Sequence, residues 1–163
     1  MTMDKIFNVL FVCLGNRVRS VMAKAIFDNK LKESGTDNIA TDSAGLIRLS
    51  GAKAAGNTIK ICAAHGLDVR DHRSQPLDGS HLFQANIILT MEAEQSEYLK
   101  SVYGEQSEKI HTLTGYKGEI DSDIHDPFTE GEGEYDKVFL EIESNITRIM
   151  PLILAESGNT EIE

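Results

Sequence analysis

The sequence predicts an α/β fold: a single-domain three-layer sandwich with a four-stranded parallel sheet flanked by helices. Three observations predict it. Short runs of apolar and β-branched residues alternate with longer segments of helical periodicity, the pattern of strand–helix–strand units. Val9-Leu10-Phe11-Val12 and Ile87-Ile88-Leu89 are apolar without alternation, as strands covered on both faces require. Finally, 163 residues with 40% hydrophobic and 26% charged content fit one domain over 1–163 whose core needs neither disulfide nor metal.

Taken in order, residues 6–12 read as a buried strand. From 20 to about 33, Val21, Met22, Ala25, Ile26 and Leu31 recur at near-helical spacing, and Ser34-Gly35 supplies a stop. Residues 39–44 form a short second strand, ended by Gly45. A helix over roughly 52–65 closes at Gly66, which suits the left-handed position after a helix. The third strand, 87–89, is fully apolar and therefore central. A helix follows over 92–102, ended near Gly104, and 109–113 is the fourth strand. Tyr135, Val138, Phe139, Ile142, Ile146, Ile149 and Ile153 mark a long amphipathic last helix. Pro151 is expected to kink or fray its final turns, and the polar tail 156–163 to be loose. The longest segment without periodicity is 115–134; it is acidic and carries Asp126-Pro127-Phe128. Such a loop in a compact domain is often functional.

Formal net charge is −10. Nucleic acid and anionic membranes select basic surface, so neither is expected as a partner. Local donors can still outweigh distant charge at one anion site. Met1-Thr2-Met3-Asp4-Lys5 runs straight into the first strand without a signal-peptide pattern, and no apolar run is long enough to span a bilayer. The expected location is the cytoplasm, where a working thiol stays reduced.

The chemistry concentrates in Val12-Cys13-Leu14-Gly15-Asn16-Arg17-Val18-Arg19-Ser20. A strand runs here into a short loop and then a helix N-terminus, so backbone N–H groups converge on one spot and make an anion site. Ligands of open parallel sheets bind at this end of the strands. The candidate phosphate-binding residues are Leu14, Gly15, Asn16, Arg17, Val18, Arg19 and Ser20. Gly15 lets the backbone approach an oxyanion, and Asn16 tolerates the left-handed conformation of a tight loop. Arg19 can hold two oxygens bidentately, which lysine cannot. A cysteine acts as nucleophile only as the thiolate, a form that helix N-terminal donors favour; Ser20 can add one further donor. Phosphoryl transfer is mostly positioning and charge stabilisation. The leaving oxygen still needs a proton, and Asp126, stiffened by Pro127, is the candidate acid. These parts point to a cysteine-dependent phosphomonoesterase.

The same residues carry a resemblance. Phe11-Val12-Cys13, Gly15-Asn16, Arg19-Ser20, Met22-Ala23, Asp42-Ser43-Ala44-Gly45, Asp71-His72-Arg73-Ser74 and Asp126-Pro127-Phe128 resemble the low-molecular-weight protein-tyrosine-phosphatase family. The likeness extends over nearly the whole chain. Its later half resembles the bacterial branch that includes protein arginine phosphatases, through Ile88-Leu89-Thr90-Met91 and His111-Thr112-Leu113. The resemblance implies a Rossmann-like, phosphotyrosine phosphatase I-like fold. It implies Cys13 as nucleophile, Arg19 as transition-state clamp, and Asp126 as general acid and then base, through a phosphocysteine intermediate. It implies that Asn16, Ser20, Ser43 and His72 support the loop by hydrogen bonds. A phosphorylated protein is the implied substrate, phosphate, sulfate or vanadate the implied inhibitors, and no metal or organic cofactor is implied. Three positions depart from the family pattern. Arg17 stands where an apolar residue or threonine is usual, Val18 where a second, protective cysteine is common, and Val21 where proline is usual. Arg17 and Phe128 are expected to line the substrate.

A phosphoarginine phosphatase would use the same chemistry, but Arg17 would repel a guanidinium; Arg17→Thr should then raise phosphoarginine activity relative to phosphotyrosine. An arsenate reductase needs a resolving cysteine, and only Cys62 is left, at helical spacing with Ile59, Ala63 and Gly66 as a core residue would be. A phosphate-binding module without turnover would explain only Arg17. Asp126 could simply cap a turn. Arg17 could face solvent or pair with Asp126 or Glu130. Asp121, Asp123, His125 and Asp126 match no standard metal spacing. The acidic run 130–136 reads as a solvated helix start.

Overall fold

The structure, a computed structural model, describes residues 5–159. Strand β1 (Phe7–Cys13) lies between β2 (Ile39–Gly45) and β3 (Ile87–Thr90), and β4 (Ile110–Thr112) pairs with β3. All pairs are parallel, in the order β2-β1-β3-β4, with Cys13 opposite Gly45 and Val12 opposite both Ala44 and Thr90. The chain therefore steps to one side of β1 and then crosses to the other. That reversal opens a crevice at the carboxyl end of β1, the position where ligands bind in such sheets.

Alternate side chains of β1 enter different layers. Val9, Phe11 and Cys13 pack with α1 (Arg19–Ser34), α2 (Gly56–Ala64) and α5 (Glu132–Glu156), beside Met22, Phe27, Phe139, Ile142 and Ile146. Leu10 and Val12 face α3 (Gly79–Gln84) and α4 (Ala93–Val102), with Leu82, Ile88 and Leu99. This double burial explains the unbroken apolar run of the first strand. Three layers and a four-stranded parallel sheet are thus as the sequence predicts. Cys62 is buried in the larger of the two cores, as its spacing predicts.

The differences have local causes. Helix α2 begins at Gly56, not near 52. The backbone of Ala52 is engaged by Ser74 in both directions, and the Ala55 N–H donates to the Arg17 carbonyl at 3.0 Å. Those bonds hold 52–55 out of the helix. The short α3 escapes a periodicity reading at six residues, although Asp78 caps it by accepting from the N–H groups of Ser80 and His81. A 3-10 turn, Gly104–Lys109, leads into β4. Helix α5 does not fray at Pro151; it continues to Glu156. The start of the tail is tied down rather than loose: Asn159 Nδ2 donates to Asn38 Oδ1 at 2.7 Å, and Asn38 Nδ2 donates to the Ser157 carbonyl. Residues 160–163 of the predicted loose tail lie outside the described residues. Among the described residues, no helix is long and apolar enough to cross a membrane.

Candidate active site

Five loop residues, 14–18, separate β1 from α1. Val18 precedes the helix and supplies no side-chain cap, and the first turn of α1 carries no acidic residue. The first N–H groups of the helix therefore meet no side-chain acceptor, which is the condition of an anion site. Gly45 shapes the loop from below. A Cβ there would stand 3.0 Å from the Gly15 carbonyl carbon and the Leu14 oxygen. The end of β2 thus supports the loop by backbone contact, and Leu46 and Ile47 donate N–H bonds to the carbonyls of Cys13 and Leu14.

Asn16 holds the loop from behind. Its φ is +55°, in the left-handed region that asparagine tolerates. Its Nδ2 donates to Ser20 Oγ at 2.8 Å and to Ser43 Oγ at 2.9 Å. Its Oδ1 accepts from the Gln75 N–H at 3.1 Å, and its carbonyl accepts from His72 Nε2 at 2.7 Å. That last bond places the imidazole hydrogen on Nε2. Burial lowers the His72 pKa below its ordinary value, so the ring is neutral at pH 7. Ser20 Oγ in turn lies 3.0 Å from Cys13 Sγ. The predicted supporting set, Asn16, Ser20, Ser43 and His72, is brought together as one network, and Gln75 joins it unforeseen.

Arg19 is 1% exposed. One terminal nitrogen, Nη1, donates to Glu92 Oε2 and to the Ile124 carbonyl, both at 2.7 Å. The Nη2 atom lies 3.5 Å from Asp126 Oδ2. With Nη1 saturated, the Nε and Nη2 hydrogens are left for a ligand. Asp126 divides its oxygens: Oδ1 accepts from the Phe128 N–H at 3.1 Å, and Oδ2 faces Arg19. It does cap a turn, and the cap fixes the carboxylate that looks into the pocket. Tyr135 steadies the same turn by donating its hydroxyl to the Phe128 carbonyl at 3.3 Å. Burial, and next the Asp126 charge, raise the Tyr135 pKa, which keeps this donor protonated.

One pocket of about 180 Å³ is lined by Cys13, Leu14, Gly15, Arg17, Val18, Arg19, Ile47, Leu49, Asp126 and Phe128. Cys13, Arg19 and Asp126 are thus assembled in one place from three regions of the chain. The side chains of Asn16 and Ser20 are not on the pocket wall; they lie behind it, although both were expected among the phosphate-binding residues. Arg17 is on the wall. Its guanidinium stands 5.4 Å from the Phe128 ring centroid, and its Nε donates to the Lys53 carbonyl at 2.9 Å. It pairs with neither expected acid, because Asp126 faces Arg19 and Glu130 faces His125. Ile47, Leu49 and Glu92 were not foreseen in the site. Asp121 and Asp123, which match no standard metal spacing, are engaged separately: Asp121 accepts from Thr112, and Asp123 accepts from the Ala93 N–H.

Residues 8–159 match the low molecular weight phosphotyrosine protein phosphatase family. The chain belongs to that family. It is 30% identical over 148 residues to "Probable low molecular weight protein-tyrosine-phosphatase EpsP" of Ralstonia nicotianae, covering 90% of this chain and 96% of the relative. It is equally 30% identical, over 155 residues, to a protein-arginine-phosphatase of Geobacillus stearothermophilus, covering 95% of this chain and 98% of that one. Among solved structures, the low molecular weight protein tyrosine phosphatase from T. tengcongensis superimposes with a TM-score of 0.84 at 32% identity, over 88% of this chain and 97% of the other. The phosphatase departs from an arsenate reductase in its second thiol. Cys62 is fully buried in the core and burial pushes its thiol up to about 12, an environment that disfavours the thiolate a resolving cysteine needs.

Proposed function

We propose that the phosphatase hydrolyses phosphotyrosine in proteins, with Cys13 as nucleophile, Arg19 as clamp and Asp126 as proton donor. The observation that carries this reading is the meeting of Cys13, Arg19 and Asp126 in one pocket beneath an uncapped helix N-terminus. The phosphate dianion binds the loop N–H groups and the Nε and Nη2 edge of Arg19. In this reading Asp126 holds the proton that the leaving oxygen needs. Cys13 Sγ forms a bond to phosphorus as the phosphorus–oxygen bond to the leaving group breaks. Asp126 gives its proton to that oxygen, and tyrosine leaves. Asp126 then takes a proton from water as the water oxygen attacks the phosphocysteine, and inorganic phosphate is released with Cys13 restored.

Similarity does not choose between phosphotyrosine and phosphoarginine, since relatives of both kinds are equally identical. The pocket wall supports the phosphotyrosine reading. Leu14, Ile47, Leu49 and Phe128 are apolar and suit an aryl ring, while the Arg17 cation opposes a second guanidinium. The test is kcat/KM on a phosphotyrosine peptide and a phosphoarginine peptide, with Cys13→Ser as control. The expected result is a clear preference for phosphotyrosine and no turnover by Cys13→Ser. A preference for phosphoarginine would overturn the substrate reading, and an active Cys13→Ser would overturn the nucleophile. Vanadate, sulfate or phosphate is expected to compete with substrate. The reducing cytoplasm is the compartment that fits a free, working thiol.

A further inference from the structure

Two of the three segments that line this pocket run against the charge of the whole chain. The protein carries 26 acidic and 16 basic residues. Yet two of the segments that build the pocket, 5–27 and 43–67, contain no Asp or Glu at all. They supply Arg17 and Arg19, and, next to the lining residues Ile47 and Leu49, also Arg48 and Lys53. Among the described residues, Arg17, Arg48 and Lys53 form no ion pair with any carboxylate of the chain. In the acidic facing segment, Asp126 and Glu130 are already taken by Arg19 and His125, Asp121 and Asp123 accept from Thr112 and the Ala93 N–H, and Glu132 and Glu134 pair with Lys60 and Lys137.

Arg17 is not a loose surface arginine. Its Nε is fixed by the Lys53 carbonyl, its face lies over Phe128, and the Lys53 segment is anchored to the Arg17 carbonyl through the Ala55 N–H and the Thr58 hydroxyl. What remains unbonded is the Nη end, a fork that matches a carboxylate. A half-buried cation held in this way, without an acid of its own, is completed by an anion from outside. The phosphate itself has Arg19 and the loop. Resting on the phosphotyrosine reading, the geometry points to a narrower substrate class: phosphotyrosine in an acidic peptide segment. A carboxylate flanking the phosphotyrosine binds the Nη fork of Arg17, in the field of Arg48 and Lys53.

The test uses three phosphotyrosyl peptides that differ only in flanking residues: glutamate, alanine or lysine. The assay gives kcat and KM separately for wild type, Arg17→Met and the double variant Arg48→Gln with Lys53→Gln, at low and high salt. The lost pairing is solvent-accessible, so the expected preference for the glutamate over the lysine peptide is modest, about fivefold. It lies in KM, with kcat alike for the three peptides. It shrinks toward unity at about 1 M salt, where the Debye length is about 3 Å. Arg17→Met abolishes most of it, and the double variant reduces it. Equal KM values for the glutamate and lysine peptides in wild type would overturn the inference alone. So would a preference that survives high salt, a measurement that decides the matter even if Arg17→Met fails to fold. Absence of turnover on all three peptides would instead overturn the phosphotyrosine reading beneath it.

Discussion

Replacing Glu92 by glutamine removes one charge and almost no volume. Glu92 Oε2 accepts from Arg19 Nη1 at 2.7 Å and from Gln95 Nε2 at 3.1 Å. Glutamine can keep both bonds through its amide oxygen, but as a neutral acceptor. A hydrogen bond to a charged group contributes about 1.5–3 kcal/mol against about 1 for a neutral pair. The Glu92 side chain is 31% exposed while Arg19 is 1% exposed, so solvent screens part of the difference. The lower end, about 1 kcal/mol, is the appropriate figure. The variant leaves Asp126, 3.5 Å from Nη2, as the nearest full negative charge. Arg19 is then drawn toward the pocket mouth and away from the edge that would receive phosphate. At 1.36 kcal/mol per tenfold, kcat/KM falls about fivefold, and the inhibition constant for inorganic phosphate rises by a similar factor. The assay is steady-state hydrolysis of a phosphotyrosine peptide with phosphate as competitor. Values within twofold of wild type on both counts would refute the reasoning. They would show that the Ile124 carbonyl and the loop alone orient Arg19.

Asp126→Asn should lower kcat/KM about a hundredfold for a basic leaving group such as tyrosine, and much less for an activated aryl phosphate; equal losses on both would remove Asp126 as the proton donor. Gly45→Ala forces a Cβ against backbone atoms of the loop at 3.0 Å and should cost about 1–3 kcal/mol, read as a lower melting temperature together with lost activity below the melt. An unchanged melt would mean that the loop yields freely. His72 is neutral in the fold because burial lowers its pKa below 6.5. Its stabilising contribution is fully present above pH 6.5 and is lost as pH falls through the folded-state value, because the unfolded chain takes up the proton first. Chemical denaturation at pH 7.5 and 5.5 should show wild type losing more stability than His72→Gln. Equal losses would assign the acid sensitivity to other groups.

The strands were legible because double burial leaves nothing polar in Val9 to Val12 or in Ile87 to Leu89. The loop was legible because Cys13, Gly15, Arg19 and Ser20 lie within one short segment whose spacing carries its chemistry. The partners that come from afar were not. Glu92 reads as the opening of a helix, and nothing local says that its carboxylate reaches Arg19, 73 positions earlier. Gln75 donates through its backbone N–H to Asn16 and through its side chain to the Ser43 carbonyl, 59 and 32 positions away, and no local spacing announces either bond. Helix α3 hid in its brevity, although Asp78 ahead of Leu82 was a readable cap. The start of α2 was misplaced because Ala52, Lys53, Ala54 and Ala55 suit a helix by propensity, while tertiary bonds to Ser74 and Arg17 overrule it.

Asn16 also dates the birth of the site. Its bonds run to Ser43, His72 and Gln75, which emerge 27, 56 and 59 positions later in the chain. A nascent polypeptide therefore exposes Cys13 early, in a segment that nothing yet bends around it. Only when the stretch through Gln75 has been made and docked does that segment acquire its final curve, and Asp126 arrives later still. The ordering entropy of the loop is settled during folding, not at each encounter with a ligand. A phosphate ion thus enters a ready-made seat, and its binding should leave the hydrogen exchange of the Ala55 and Gln75 amides, which already donate to Arg17 and Asn16, nearly unchanged.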